Sequence, residues 1–296
     1  MDNKELTNGK VSERYKFKET SKAVIVLFQI LKYVVLVIAC LLVIVPLLVV
    51  LLGSFKTQAD IVSTRPFDLP QSFEWENYKT AFIDGGVLTG LKNTLIILVI
   101  SCAGTVITGT MTAFVVQRFT MLFTKLVKNI FLVAALLPNI AMQVTVFQIV
   151  NSLHLFNSMA APCILYIGTD IVSIYIFIQF LDNISVQLDE SAILDGCSYP
   201  RVYFSIILPL LRPAIATVLV MKFVSIYNDF YTANLYMPKP GLEVISTALY
   251  KFTGSSGTDW NIIFAGIIIC IIPTLILFLS MQKFIYSNLA TGSVKG

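Results

Sequence analysis

The sequence predicts an all-α fold, a polytopic membrane protein with six transmembrane helices. Three observations predict it. Hydrophobic residues make up 56% of the 296 residues and charged residues only 13%, with a mean hydropathy of +0.82. A soluble domain carries about 25% charged residues, so this chain cannot cover a water-facing surface. The apolar residues fall in runs of about 20, long enough at ~1.5 Å per residue to cross a ~30 Å hydrocarbon layer. The lysines and arginines crowd on alternate sides of those runs. The composition excludes a soluble enzyme, a disordered chain and a nucleic-acid binder.

In chain order, residues 1–32 form a polar, basic cytoplasmic segment, and residues 33–296 the transmembrane domain. The spans lie near 33–52, 94–116, 126–149, 161–181, 213–236 and 262–284. Each is read as a helix, because an isolated strand in lipid leaves its backbone groups unpaired and the runs lack the period-two alternation of a barrel. The first run is too long for the apolar core of a cleavable leader and no small-x-small site follows it, so it is expected to remain as an anchor. Cys40, Cys102, Cys163, Cys197 and Cys270 show no CxxC spacing and read as small apolar packing residues rather than a disulfide framework.

Orientation follows from the basic residues. With the N-terminus inside, 14 lysines and arginines face the cytoplasm and 6 face out, with Lys222 inside a span. The bias places both termini in the cytoplasm. Residues 54–90 then form an outer segment, 117–125 a short basic inner turn, 150–160 an outer turn, and 237–261 an outer loop rich in glycine and serine.

The inner loop, 182–212, is the most informative stretch. Residues 189–195 combine good helix formers with an acidic start, favourable at the positive end of a helix. Gly196 can adopt a left-handed cap and end that helix. A second amphipathic piece follows Pro200, with Val202, Phe204, Ile206 and Ile207 among its apolar residues, and Pro209 and Pro213 interrupt the chain before the fifth span. Helix, glycine turn and helix make a compact cytoplasmic knob. It reads either as a docking element or as an ordinary interfacial connector.

This stretch closely resembles the EAA motif of ATP-binding-cassette importer permeases: Glu-Ala-Ala, three residues, Gly, nine residues, Ile-x-Leu-Pro. Glu190, Ala192, Gly196, Ile206, Leu208 and Pro209 match in type and spacing, and Ser191 stands for the first alanine. Further matches run along nearly the whole chain. Ser54-Phe55-Lys56-Thr57 with Asn77-Tyr78, Asn93-Thr94-Leu95, Asn228-Asp229-Phe230 and the tail from Gly292 to Gly296 all resemble the carbohydrate-uptake branch, in particular its maltose-type second permease.

The resemblance implies a type I importer permease fold in which the 182–212 loop is a coupling helix seated in a cleft of a cytosolic ATPase. Carried over, Glu190 and Asp195 supply polar contacts, Gly196 permits the turn, and Leu208 and Pro209 pack the loop against the membrane helices. The implied partners are a second permease in a heterodimer, two ATPase subunits and a solute-binding protein. The chain contains no Gly-x-x-x-x-Gly-Lys-Ser/Thr phosphate loop. It is therefore expected to be a transport subunit and not an enzyme, and to bind no cofactor, with ATP and Mg held by the partner ATPase.

Polar groups inside spans are costly and often functional. Lys222 can snorkel inward or line a cavity. Asp229, seven residues on and ~10 Å along the helix, is not an obvious direct partner. With Tyr227, Asn228 and Tyr231 it offers aromatic faces and hydrogen-bonding groups that suit a sugar; the same residues also read as helix–helix glue. Asp170 in the fourth span departs from the family's pattern. Asn139 and Gln143 in the third span are further pathway candidates. His154, the single histidine, reads as a solvated turn residue, and no metal cluster is expected. Two rival classes remain: an autonomous secondary transporter relying on Asp170, Lys222 and Asp229, and an intramembrane enzyme, for which no convincing pair of groups is found. An importer of a non-sugar solute is a third alternative within the transporter class.

Overall fold

A computed structural model describes residues 22–119, 121–168, 170–254 and 257–293; the side chains of 22–25, 139, 277, 280, 281 and 283–293 lie outside the described set. The basic residues from Lys4 to Lys18, the last three residues of the tail and the Asn139 side chain, all used in reading the sequence, fall outside it.

The long helix α1 (Lys22–Gly53) leads into two short helices, α2 (Gln58–Ser63) and α3 (Glu76–Ile83). Next come α4 (Val87–Arg118), α5 (Leu122–Leu136), α6 (Asn139–Ser152), α7 (Ala160–Gly168) and α8 (Ile171–Asp182). The loop helices α9 (Gln187–Leu194) and α10 (Tyr199–Val202) run through a π-turn (Tyr203–Ile207) and α11 (Leu208–Leu210) into α12 (Arg212–Asn228). The chain ends with α13 (Tyr231–Tyr236), α14 (Ile245–Ala248), a two-residue hairpin (Thr253–Gly254 with Gly257–Thr258) and α15 (Trp260–Ser293).

Three of these helical stretches are long and apolar enough to cross a membrane: Val26–Gly53, Val87–Arg118 and Ala160–Asp182. Two bent pairs raise the number to five, and α15 adds a shorter apolar helix over Trp260–Ile276. The expected straight third span is broken. α5 and α6 meet at 111°. Pro138 explains the break: it has no N–H to give, and it forces Leu137 into an extended conformation (φ −76°, ψ 126°). The loop helices meet α12 with a 68° bend at Leu211, just before the expected fifth span, and that span is itself cut short, since α12 ends at Asn228 instead of running on to 236.

α4 is the hub, packing against α7, α8, α12 and α14. Its buried face carries Ser101, Thr105, Gly109 and Ala113, small residues spaced one helical turn apart. Small side chains let helices approach closely in a membrane, where no hydrophobic force pulls them together. Phe177 of α8 fills the resulting groove and lies 3.0 Å from where a Cβ on Gly109 would stand. The largest core cluster continues from this contact into the loop helices through Val202, Tyr203, Ile207 and Leu211.

At the opposite end of the bundle, asparagines staple the irregular chain. Asn77 donates to the carbonyls of Ser54 (3.0 Å) and Lys56 (2.9 Å) and accepts from Asn261 (2.7 Å). Asn93 donates to the carbonyls of Gly241 and Glu243, and Thr94 accepts from the Ile245 amide. Buried Lys56 donates to the Thr64 hydroxyl and to the Arg65 carbonyl, holding the chain just after α2. On the exposed face of α3, Glu76 hydrogen-bonds Lys79 and raises its pKa above the ordinary lysine value; this is a solvated pair.

Candidate functional site

Two groups of residues stand out: the loop hairpin after α8 and a polar cluster within α7, α8 and α12. In the hairpin, Asp189 and Glu190 occupy the first turn of α9, where carboxylates meet the helix dipole. They point to different places. Asp189 is buried and pairs with Arg118, the last residue of α4. Arg118 also donates to the Ile184 carbonyl at 3.0 Å. Glu190 is exposed, as are Asp195 at the C-cap and Leu194, whose side chain is 87% open. Ala192 faces the core. Gly196 takes φ +85°, the left-handed conformation expected of it, and its amide closes on Ile193 while Cys197 closes on Ala192. Leu208 and Pro209 are half-buried, with Leu208 against the core cluster.

The hairpin is thus tied down on one side and open on the other. Its inner side is held by Arg118–Asp189 and by a hydrogen bond between Tyr203 and Thr110 of α4 (2.7 Å). Its outer side presents Glu190, Leu194 and Asp195. Reading the sequence did not single out Arg118, Asp189, Thr110 or Tyr203. The available signal was a lone arginine ending the second span and an aspartate beginning the loop helix.

In the polar cluster, Lys222 neither snorkels nor meets Asp229. Its ammonium lies 2.9 Å from Asp170 Oδ2 and 2.5 Å from the Tyr166 carbonyl, with both charged side chains about nine-tenths buried. Asp170 caps α8, accepting from the Ser173 amide and hydroxyl. Asp229 accepts from the Tyr166 hydroxyl (2.8 Å) and from the amide and hydroxyl of Thr232. Tyr166 therefore touches both Lys222 and Asp229, at its two ends. Its role is not visible in the sequence, where it is one aromatic among many in an apolar run.

The remaining sequence-derived candidates do not join this cluster. Tyr227 stacks on Phe223 and donates to the Cys270 carbonyl, at the contact of α12 with α15. Asn228 is exposed and bonds within its own helix, to Val224. Tyr231 is exposed, and Gln143 is half-buried on α6. A pocket beside Tyr166 and Asp229, lined also by Thr94, Ile97 and Met237, is a cavity of about 10 Å³, roughly the room of one water molecule. Among the described residues, no group of three or more His, Cys, Asp or Glu could hold a metal ion.

These features define a class: a multi-span helical membrane protein with internally paired intramembrane charges and a rigid, partly exposed hairpin at one end. Comparison with known proteins narrows it. Residues 102–290 match the family model described as binding-protein-dependent transport system inner membrane component. The chain is 31% identical over 260 residues to the probable starch degradation products transport system permease protein AmyC of Thermoanaerobacterium thermosulfurigenes, covering 88% of this chain and 94% of that one. It is 32% identical over 257 residues to the probable ABC transporter permease protein YurM of Bacillus subtilis, covering 85% and 83%. To the maltodextrin transport system permease protein MalD of Streptococcus pneumoniae it is 28% identical, covering 91% and 96%. In fold it is similar to a chain of a bacterial ABC transporter involved in import of the acidic polysaccharide alginate, with a TM-score of 0.76, 19% identity, and 87% and 96% of the two chains covered. The chain belongs to the family of inner membrane components of binding-protein-dependent transport systems, and is a multi-pass membrane permease subunit.

Proposed function

We propose that this chain is one of two permeases in an ATP-driven importer of a sugar or oligosaccharide. The observation that carries the substrate class is similarity over most of the chain to permeases of starch-product and maltodextrin transport systems. A solute-binding protein delivers the sugar from outside, a second permease completes the pathway, and two ATPase subunits supply the energy. This chain is no enzyme and binds no cofactor of its own; ATP and Mg sit on the ATPase. Both termini and the 187–211 hairpin face the cytoplasm. The open side of α9, with Glu190, Leu194 and Asp195, is the ATPase contact, and the left-handed Gly196 sets its shape.

The polar cluster weighs against ion-coupled transport. In ion-coupled carriers, carbonyls and carboxylates at helix breaks hold the coupling cation. Here the carboxylate and carbonyl at the α7–α8 break already hold the Lys222 ammonium. The sugar's pathway is shared with the second permease, in keeping with the small size of the pocket beside Tyr166 and Asp229.

The test is purification in mild detergent from native membranes, with mass spectrometry of the co-purifying chains and sugar uptake in vesicles loaded with ATP. Recovery of a cytosolic ATPase and a second permease, with ATP-dependent uptake, is expected. A lone chain that transports down an ion gradient would overturn the reading.

A further inference from the structure

We propose that Tyr166, Asp170, Lys222 and Asp229 form a reciprocal brace between two interrupted helices, which carries movement of α12 into α7 and α8. The proposal rests on the importer reading above, since it assigns these four as positioning residues for ATP-driven transport.

The last carbonyls of α7 have no intrahelical donor, and the first amides of α8 have no intrahelical acceptor. Lys222, reaching over from α12, addresses both halves of that break. Its ammonium donates to the Tyr166 carbonyl at 2.5 Å and stands 2.9 Å from Asp170, the residue that caps α8. The second break lies between α12 and α13, at Asp229. Here the help comes from the opposite direction: the Tyr166 hydroxyl donates to Asp229, whose carboxylate also receives the Thr232 amide. Each broken helix thus receives a side chain from the other at its break: Lys222 on the Tyr166 carbonyl and Asp170, and Tyr166 on Asp229, the residue that binds the Thr232 amide.

Such a contact behaves differently from apolar packing. Apolar side chains can slide past one another at little cost. A buried ammonium and carboxylate cannot part without leaving a charge unpaired in a low-dielectric interior. The two helices are therefore held to a few discrete arrangements, the requirement for passing a displacement over distance. The source of the displacement is close in sequence. α12 begins where the hairpin ends, and Lys222 lies ten residues, or ~15 Å, along it from Arg212.

The experiment uses the complete complex of this permease with its partners, reconstituted in vesicles. It compares Lys222→Met, the double variant Lys222→Met/Asp170→Asn, and Tyr166→Phe. The readouts are the thermal midpoint of the complex and the ATP hydrolysed per sugar transported. Lys222→Met is expected to lower the midpoint, because it leaves Asp170 buried and unpaired. The double variant is expected to restore the midpoint, since asparagine still caps α8. Its ATP cost per sugar should nevertheless rise roughly two- to thirty-fold. Tyr166→Phe, which removes only the hydroxyl, should raise that cost in the same direction. An unchanged ATP-to-sugar ratio in both Tyr166→Phe and the double variant would overturn the brace and leave a merely structural ion pair. A wild-type complex that hydrolyses no ATP during uptake would overturn the importer reading, and the brace with it.

Discussion

Arg118 Nε stands 2.6 Å from Asp189 Oδ2, with side chains only 6% and 9% exposed, joining the end of α4 to the start of α9. Breaking a buried pair by removing one partner costs about 3–5 kcal/mol, because the other charge stays behind unpaired. Arg118→Ala and Asp189→Ala should each lower the thermal midpoint in detergent and reduce the ATPase that co-purifies. The apolar double variant Arg118→Met/Asp189→Leu should recover most of the stability. A single variant with the wild-type midpoint would show that the pair is not held in a dry interior.

Gly196 is required for its backbone and not for its size. Nothing lies within 4 Å of where its Cβ would stand, yet its φ is +85°. A left-handed conformation costs an L-residue about 1–2 kcal/mol, least for asparagine. Gly196→Asn should therefore retain much of the sugar uptake, and Gly196→Val should lose most of it, with membrane insertion equal in both. Equal uptake by the two variants would contradict this.

Asn77 ties three separate stretches of the chain. It is buried, donates to the carbonyls of Ser54 and Lys56, and accepts from Asn261 at the start of α15. Asn77→Leu should cost about 1–3 kcal/mol, since it strands those buried groups. The loss should appear as a lowered thermal midpoint and as faster proteolysis between residues 54 and 80. An unchanged cleavage rate would argue that Phe55, Trp75 and Tyr78, whose rings pack together, hold the segment unaided.

Much of this architecture was legible in the sequence, because lipid demands long apolar runs and the hairpin carries its own punctuation at Gly196, Pro200 and Pro209. The left-handed turn at Gly196 follows from glycine alone. The break at Pro138 was equally visible in the sequence, but the apolar run around it suggested one straight span. The Lys222–Asp170 pair was not readable. Which two of three intramembrane charges meet depends on how α7 and α12 pack, and neither apolar run carries that register. Glu190 was favoured over Asp189 by the motif. Residues one apart on a helix point about 100° from each other, and only the core contact of α9 decides which is buried. The motif residues Asn77, Asn93 and Thr94 turned out to be backbone staples, a role that depends on partners as far away as Glu243 and Asn261.

Two glycines of α4 give a prediction that distance alone would order wrongly. A Cβ on Gly104 would stand 2.3 Å from Ile167 Cδ1, and one on Gly90 would stand 3.1 Å from the backbone carbon of Val244. The nearer contacts, which include Ile167 Cγ1 at 2.7 Å, are all with one side chain, so relief needs that side chain to shift but no backbone to move. The farther one is with backbone that cannot shift, since Asn93 and Thr94 bind the chain from Gly241 to Ile245 in place. Alanine also gains about 1 kcal/mol of helix propensity over glycine at either position. Overpacking against fixed atoms costs about 1–3 kcal/mol, which exceeds that gain. Gly90→Ala should therefore lower the thermal midpoint more than Gly104→Ala, and should weaken the docking of α14 on α4. The docking is read from the disulfide yield of a cysteine pair placed across that contact. A larger loss for Gly104→Ala would mean that Ile167 is pinned, and that α7 packs on α4 as rigidly as the stapled loop does.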